Sequence, residues 1–290
     1  MNHLEYIKIS ENTSTVFVFI HGIVGSPNHF DDFIPLVPEQ YSIYNILLDG
    51  HGKSVSDFAK SSMVKWQNQI NNLINELENK YDNIYIVAHS LGTLLSFNFA
   101  KTSKKIKGMF FLATPLKIIL KPSMILTSLK IYLNKIKPSD IKTLEAKRCY
   151  SINHSYNIFK YLGWIPRFIE LFKKAKQTRK ITSNITIPTY IYMSNKDEVV
   201  SRKSMRYLNN NNFKTYVLKN SQHFYYDEYD KTFLLNEFNN FVETTKNSGD
   251  DHGIIRTYVA NNQSYNGTIG VFGNNIQCNE YRCTSYDRYR

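Results

Sequence analysis

Ser90 stands in Ile84-Tyr-Ile-Val-Ala-His-Ser90-Leu-Gly92-Thr-Leu-Leu, where an apolar run meets small-His-Ser-Leu-Gly and a helical pattern follows. A serine hydroxyl becomes a useful nucleophile when it is lifted clear of its neighbours and a base can take its proton. A sharp strand-to-helix turn supplies the first condition. It needs small residues two positions to either side, here Ala88 and Gly92, and it sets the hydroxyl at a helix N-terminus that favours developing negative charge. Ala88 takes the place where such turns usually carry glycine, a change the geometry tolerates. A second segment, Val16-Phe-Val-Phe-Ile20-His21-Gly22-Ile23-Val24-Gly25-Ser26, is an apolar run ending in a loop of small residues. Such a loop can present a backbone N–H to an oxyanion. The donors expected are the amides of Ile23 and of Leu91, the residue after the serine.

These groups need a rigid frame. Val16–Ile20, Ile43–Leu48, Ile84–Ala88, Met109–Ala113, Thr189–Met193 and Lys214–Leu218 are short apolar runs that predict strands. Most are apolar at successive positions, as strands covered on both faces are. Helical patterns fall between them at 64–80, 91–101, 203–210 and 228–245. The alternation predicts an α/β fold, a mostly parallel central sheet with helices on both faces. Leu4–Ile9 is expected to add an antiparallel edge strand.

The chain has 290 residues, 42% of them hydrophobic and 14% aromatic, enough for a large core. Its net charge of +12 suggests a nucleic-acid partner until it is located. Residues 116–188 hold 15 Lys and Arg against 3 Asp and Glu, and the remainder holds 21 of each. The excess therefore belongs to one segment, and no recognition motif accompanies it, so no nucleic-acid partner is expected. The segment carries apolar residues at helical spacing, including Ile118, Ile119, Met124, Ile125, Leu126, Leu129 and Leu133, then Ile165, Phe168, Ile169, Leu171 and Phe172. It is expected to form a helical cap or lid whose apolar side lines a pocket, with Leu126 and Leu129 facing in. A solvated basic face and a surface that rests on an anionic membrane are both compatible with the lysines.

From Ser248 to Arg290 there is no Leu and no Lys, yet four of the nine Arg. So abrupt a change marks an appended or poorly ordered tail, with a loop-rich packed extension as the alternative. Core residues are thus expected at 1–115 and 189–247. The three cysteines, Cys149, Cys278 and Cys283, are too few for a disulfide framework and fit a reducing compartment. No basic-then-apolar leader opens the chain, and no window approaches ~18 uninterrupted apolar residues, so a cytoplasmic location is expected. No spacing suits a metal or a phosphate-binding loop; neither cofactor nor metal is expected.

His-Gly after the first core strand, Leu48-Asp-Gly-His-Gly-Lys-Ser54 after the second and Ala-His-Ser-Leu-Gly after the third together resemble the α/β-hydrolase superfamily. Within it the chain is similar to monoglyceride-lipase-like and carboxylesterase-like serine hydrolases over about residues 14–245. The resemblance implies a nucleophile–acid–histidine order along the chain. It places the acid after the next-to-last strand, at Asp197 in Tyr190-Ile-Tyr-Met-Ser-Asn-Lys-Asp197-Glu198, with Glu198 the nearest competitor. It places the base after the last strand, at His223 in Val217-Leu-Lys-Asn-Ser-Gln-His223. His21 and His51 belong to turns, His89 to the serine turn, and His3, His29, His154 and His252 to no motif. Asp49 is expected to be a loop-capping or solvated carboxylate.

The implied activity is cleavage of a carboxylic ester, as a carboxylesterase or monoacylglycerol-type lipase, through an acyl-enzyme with Ser90, Asp197 and His223. The expected partner is a small ester with an apolar acyl group. Thioesterase, lactonase and peptidase activity use the same triad, and a non-catalytic ligand-binding protein can keep it.

Overall fold

The computed structural model describes residues 3–246, together with four short strand pieces beyond them. Seven strands form the sheet: β1 (Tyr6–Lys8), β2 (Thr15–Ile20), β3 (Ser42–Ile46), β4 (Asn83–His89), β5 (Ile106–Leu112), β6 (Thr189–Ser194) and β7 (Phe213–Leu218). Their order is β1-β3-β2-β4-β5-β6-β7, and every pairing is parallel except β1 with β3. The expected edge strand is therefore present and antiparallel. β2 lies beneath both sheet faces without exposure, which explains its unbroken Val-Phe-Val-Phe-Ile run. The seven-stranded, mostly parallel sheet with its helices is the α/β-hydrolase fold.

Among the described residues seven helices accompany the strands: α1 (Val55–Lys60), α2 (Met63–Lys80), α3 (Leu91–Phe99), α4 (Pro122–Tyr132), α5 (Ile141–Cys149), α6 (Ile165–Thr178) and α7 (Glu228–Lys246). α1 is absent from the helical patterns because it is only six residues long; a reciprocal cap between Ser54 and Asp57 starts it. At 203–210 the expected helix is instead a 3-10 turn over Arg202–Tyr207. With Asn209 to Asn212 following, the backbone meets residues that prefer turns to helix.

Residues 116–188 contain α4, α5, a 3-10 segment at Ile158–Trp164 and α6. The chain divides into two compact units, Met1–Phe238 and Asn239–Arg290. The second begins with the last turns of α7. It includes two antiparallel pairs, Val259–Ala260 with Gln263–Ser264 and Ile276–Asn279 with Arg282–Ser285. The expectation for the rest of 248–290 falls outside the described residues.

α3 crosses the end of β2 so closely that a Cβ on Gly92 would run into the Ile20 carbonyl oxygen. That neighbour is backbone and cannot swing aside. Alanine would gain about 1 kcal/mol in helix propensity, but forcing the clash costs about 1–3 kcal/mol and shifts the preceding turn. Gly92→Ala is expected to lower the urea midpoint. A raised midpoint would mean that propensity outweighs the close approach.

Candidate active site at the carboxyl ends of the strands

Parallel strands bring the loops at their carboxyl ends to one edge, where open α/β sheets bind ligands. Here the loops after β2, β4, β6 and β7 carry His21–Ser26, Ser90, Asp197 and His223. Ser90 sits at φ 50° and ψ −117°, a conformation that non-glycine residues avoid. Three bonds hold it: its N–H donates to the Leu112 carbonyl of β5 at 2.9 Å, and its carbonyl accepts from the Thr93 amide at 3.0 Å and hydroxyl at 2.8 Å. Strain of this kind costs about 1–3 kcal/mol and persists only where the surroundings over-determine it.

The loop after β2 lies directly against this turn. A Cβ on Gly22 would come within 2.9 Å of the Ser90 Cβ and 3.0 Å of His89 Nδ1. Gly22 to Gly25 forms a tight turn, with the Gly25 amide donating to the Gly22 carbonyl at 3.0 Å and Val24 at φ 52°. Among the described residues no acceptor takes the amides of Ile23 or Leu91.

His223 and Asp197 meet in a buried pair, Nδ1 to Oδ2 at 2.9 Å, each side chain at most 3% exposed. The other Asp197 oxygen accepts from the amides of Val199 and Val200, both at 2.7 Å. The carboxylate is thus fixed from two sides. With Nδ1 committed as donor to Asp197, Nε2 is the ring's basic nitrogen. Burial acts to lower the His223 pKa, but the charge and hydrogen bond of Asp197, with Glu198 behind them, outweigh it and raise the pKa above its ordinary 6.5. Glu198 does not contact the imidazole: its Oε2 accepts from the His223 amide at 3.2 Å, and burial raises its own pKa. The two adjacent acids therefore divide the work, Asp197 holding the ring and Glu198 the backbone.

Asp230, near the start of α7, completes the support. It accepts from the Lys219 amide at 3.1 Å, and from the Asn220 amide and the Ser221 hydroxyl at 2.7 Å each, fixing the loop that leads to His223. Sequence reasoning passed over it because no local motif links it to His223.

Four further histidines, His21, His29, His51 and His89, are buried in or beside these loops. His21 Nε2 accepts from the Leu48 amide at 3.0 Å, so Nδ1 carries the proton and donates to the Gly22 carbonyl at 2.8 Å. His51 donates from Nδ1 toward the Leu48 and Asp49 carbonyls, and burial lowers its pKa to about 4. Both are loop-shaping groups, as expected. His89 Nε2 donates to the His223 carbonyl at 3.1 Å, and its ring stacks on His29 at 3.8 Å. Burial holds both His29 and His89 neutral, their pKa values well below 6.5. His29, which no motif singled out, thus packs one residue away from His223. Asp49 caps locally, accepting from the Ser61 hydroxyl at 2.8 Å.

The insertion touches two of these loops. Ser151 donates its amide to Val24 O at 3.0 Å and its hydroxyl to Gly25 O at 2.5 Å. Phe224, whose ring lies 4.7 Å from that of His223, packs with Ile131 of α4 and with Ala146 and Cys149 of α5. Helical spacing alone assigns Leu126 and Leu129 to the inner side of α4. The structure leaves both about half exposed and turns Met124 and Ile131 toward Phe224.

Solved structures with this architecture include one of the metagenome-derived lipolytic enzymes LipS and LipT, at 18% identity and TM-score 0.62, over 83% of this chain and 98% of that one. Monoacylglycerol lipase from Paleococcus ferrophilus aligns at 18% identity and TM-score 0.59, over 83% of this chain and 99% of that one. A soluble variant of monoglyceride lipase from Saccharomyces cerevisiae, in complex with a substrate analogue, aligns at 15% identity and TM-score 0.56, over 82% and 90%. At such identities the likeness shows the fold. No curated protein sequence matches. The family model described as serine aminopeptidase, S33, matches residues 11–228, a span that holds every loop of the site. With that match over most of its length, the chain belongs to the serine aminopeptidase S33 family of α/β-hydrolases.

Proposed function

We propose that the protein is a serine hydrolase that cleaves carboxylic esters through an acyl-enzyme. The observation that carries this reading is the buried Asp197–His223 pair at 2.9 Å, on the same sheet edge as the strained Ser90 turn. In the proposed cycle His223 Nε2 takes the Ser90 proton as the hydroxyl oxygen attacks the acyl carbonyl. The amides of Ile23 and Leu91 receive the oxyanion. His223 returns the proton to the leaving alcohol, then activates a water that releases the acid. Asp197 holds the tautomer that makes Nε2 basic and stabilises the imidazolium.

An ester is favoured over other acyl compounds by the lipolytic neighbours above and by the apolar surroundings of Phe224. The insertion is proposed to roof the acyl site, supported by its contacts through Ser151 to the Val24 loop and through Ile131, Ala146 and Cys149 to Phe224. A panel of p-nitrophenyl esters of increasing chain length, with a matched thioester and an aminoacyl anilide, tests the substrate class. Faster turnover of the anilide than of every ester would overturn it.

Ser90→Ala should abolish fluorophosphonate labelling and lower ester turnover by about 10⁶-fold without loss of fold. Turnover within tenfold of the parent chain would remove Ser90 from the reaction.

Asp197→Asn should cost on the order of 10⁴-fold, because the amide favours the wrong His223 tautomer. Glu198→Gln keeps a carbonyl oxygen for the His223 amide and should cost little. Rates measured side by side with circular dichroism would show a reversed pair if the register of this loop were wrong.

The acid limb of kcat/KM should report His223. Its charged form is favoured by Asp197, so the folded group stays protonated to a pH above 6.5 and the rate falls as pH drops through that raised value. Asp197→Asn should move the limb to lower pH. A rate constant from pH 8 to pH 5 with the fold intact would contradict a histidine base.

A further inference from the structure

α6 is built the wrong way round for a helix surrounded by water. Its inner side carries Arg167, Leu171, Lys174, Ala175 and Thr178, while Ile165, Phe168, Ile169 and Phe172 face outward. Lys174 is only 5% exposed and donates to Gln67 Oε1 of α2 at 2.6 Å; burial lowers its pKa to about 8. Arg167 reaches inward to the Ala59 carbonyl of α1 at 2.8 Å and pairs with Glu170 at 2.8 Å. A buried cation beside exposed phenylalanines is the reverse of the usual order of burial. The 3-10 segment before α6 repeats the pattern. Trp164 donates inward to the Val55 carbonyl at 3.1 Å, whereas Phe159 is 74% exposed and Leu162 is 60% exposed.

The inner side is therefore engaged with α1, α2 and α3, and the outer side is an apolar stripe running from Phe159 to Phe172. A contiguous patch of this kind marks a contact surface. Its charge selects the occupant. Lys160, Lys173 and Lys176 are exposed beside the stripe. All three acids of residues 116–188 are spent on internal ion pairs: Asp140 with Lys130 at 2.6 Å, Glu145 with Arg148 at 2.9 Å, and Glu170 with Arg167. A second copy docked by the same patch would bring two cationic surfaces together. Residues 248–290 offer four acids against four Arg and no complementary charge. A face that is apolar in the middle and cationic at its margins fits an anionic lipid surface, into which the rings insert while the lysines meet headgroups.

We propose that the outer face of residues 158–176 is an interfacial site that docks the protein onto anionic bilayers. Among the described residues no helix is long and apolar enough to cross a membrane, so the contact is peripheral. The site is separate from Ser90, Asp197 and His223, and the proposal stands or falls independently of the catalytic reading.

The test is co-sedimentation of the full chain with phosphatidylcholine vesicles, pure or containing phosphatidylglycerol at about one lipid in three. Binding to the anionic vesicles is expected, with at least tenfold weaker partition to the neutral ones. Lys173→Gln and Lys176→Gln should each lower partition about fivefold. Phe159→Ser with Phe172→Ser should lower it tenfold or more, since apolar insertion is lost. All these positions are exposed, so turnover of a soluble acetyl ester should remain that of the parent chain, and Ser90→Ala should bind vesicles normally. Equal binding to neutral vesicles, unchanged binding by the phenylalanine variants, or a concentration-dependent dimer in solution that those variants abolish would each overturn the proposal. Ester turnover retained in Ser90→Ala, with its vesicle binding intact, would count against the catalytic reading and leave the docking proposal standing.

Discussion

The turn at Ser90 is the constraint on which the rest of the site depends. Its backbone holds a positive φ, which nothing local rewards, so the neighbouring elements must enforce it. β5 does so from one side through the Leu112 carbonyl, and α3 from the other through Thr93. α3 can begin there only because Gly92 lets its first turn touch the Ile20 carbonyl at the end of β2. One glycine thereby ties the central strand to the serine, and the loop that leaves β2 is brought against it. Gly22 answers from that loop with the same device, a missing side chain where Ser90 and His89 already fill the space. The entry of α3 and the meeting of the two loops both rest on these close approaches.

Burial then decides which histidine can bear charge. His21, His29, His51 and His89 are all buried, and desolvation holds each below 6.5. His223 is buried as deeply, but it alone has a carboxylate in contact, and its pKa moves the other way. The neutral rings have a structural use. His89 holds the His223 carbonyl, and His29 backs His89 by stacking, so the candidate base is fixed at its backbone by His89 and Glu198 and at its ring by Asp197. Of these five buried rings, His223 is the one whose charged form its surroundings favour.

The elements that position these groups were legible wherever they follow from local rules. Strands buried on both faces read as continuous apolar runs, and the small–His–Ser–Leu–Gly segment predicts its own turn. Asp197 and His223 came from the order of motifs along a resembled family rather than from their own surroundings. What lay beyond reach depends on contacts between distant segments. α1 is too short for a period, and the Asp230 side chain meets the His223 loop only because α7 returns alongside β7. His29 and His89 are 60 positions apart and become neighbours only when the sheet brings their loops together. The inner side of α4 was misassigned for a related reason. Helical spacing distinguishes two apolar sides poorly when both are apolar, and it was Phe224, far along the chain, that chose Met124 and Ile131.

The same ambiguity bears on the two surfaces proposed for the insertion. An ordinary surface helix has one apolar side and spends it on the core. α6 instead meets the core through hydrogen-bonded cations and a few small or aliphatic residues, Lys174 to Gln67 and Arg167 to Ala59, with Leu171 and Ala175 closing the gap. Polar anchoring fixes the helix in one register, because each cation has a specific partner, whereas a greasy contact tolerates sliding. The apolar residues so released lie on the outside. Toward the strands, the insertion holds the Val24 loop through Ser151 and the His223 loop through Phe224. One segment therefore joins the proposed oxyanion loop, the proposed base and an outward apolar face. The contacts toward the strands come from α4, α5 and Ser151, whereas the outward apolar face belongs to residues 158–176, so the two surfaces are carried by different parts of the same segment.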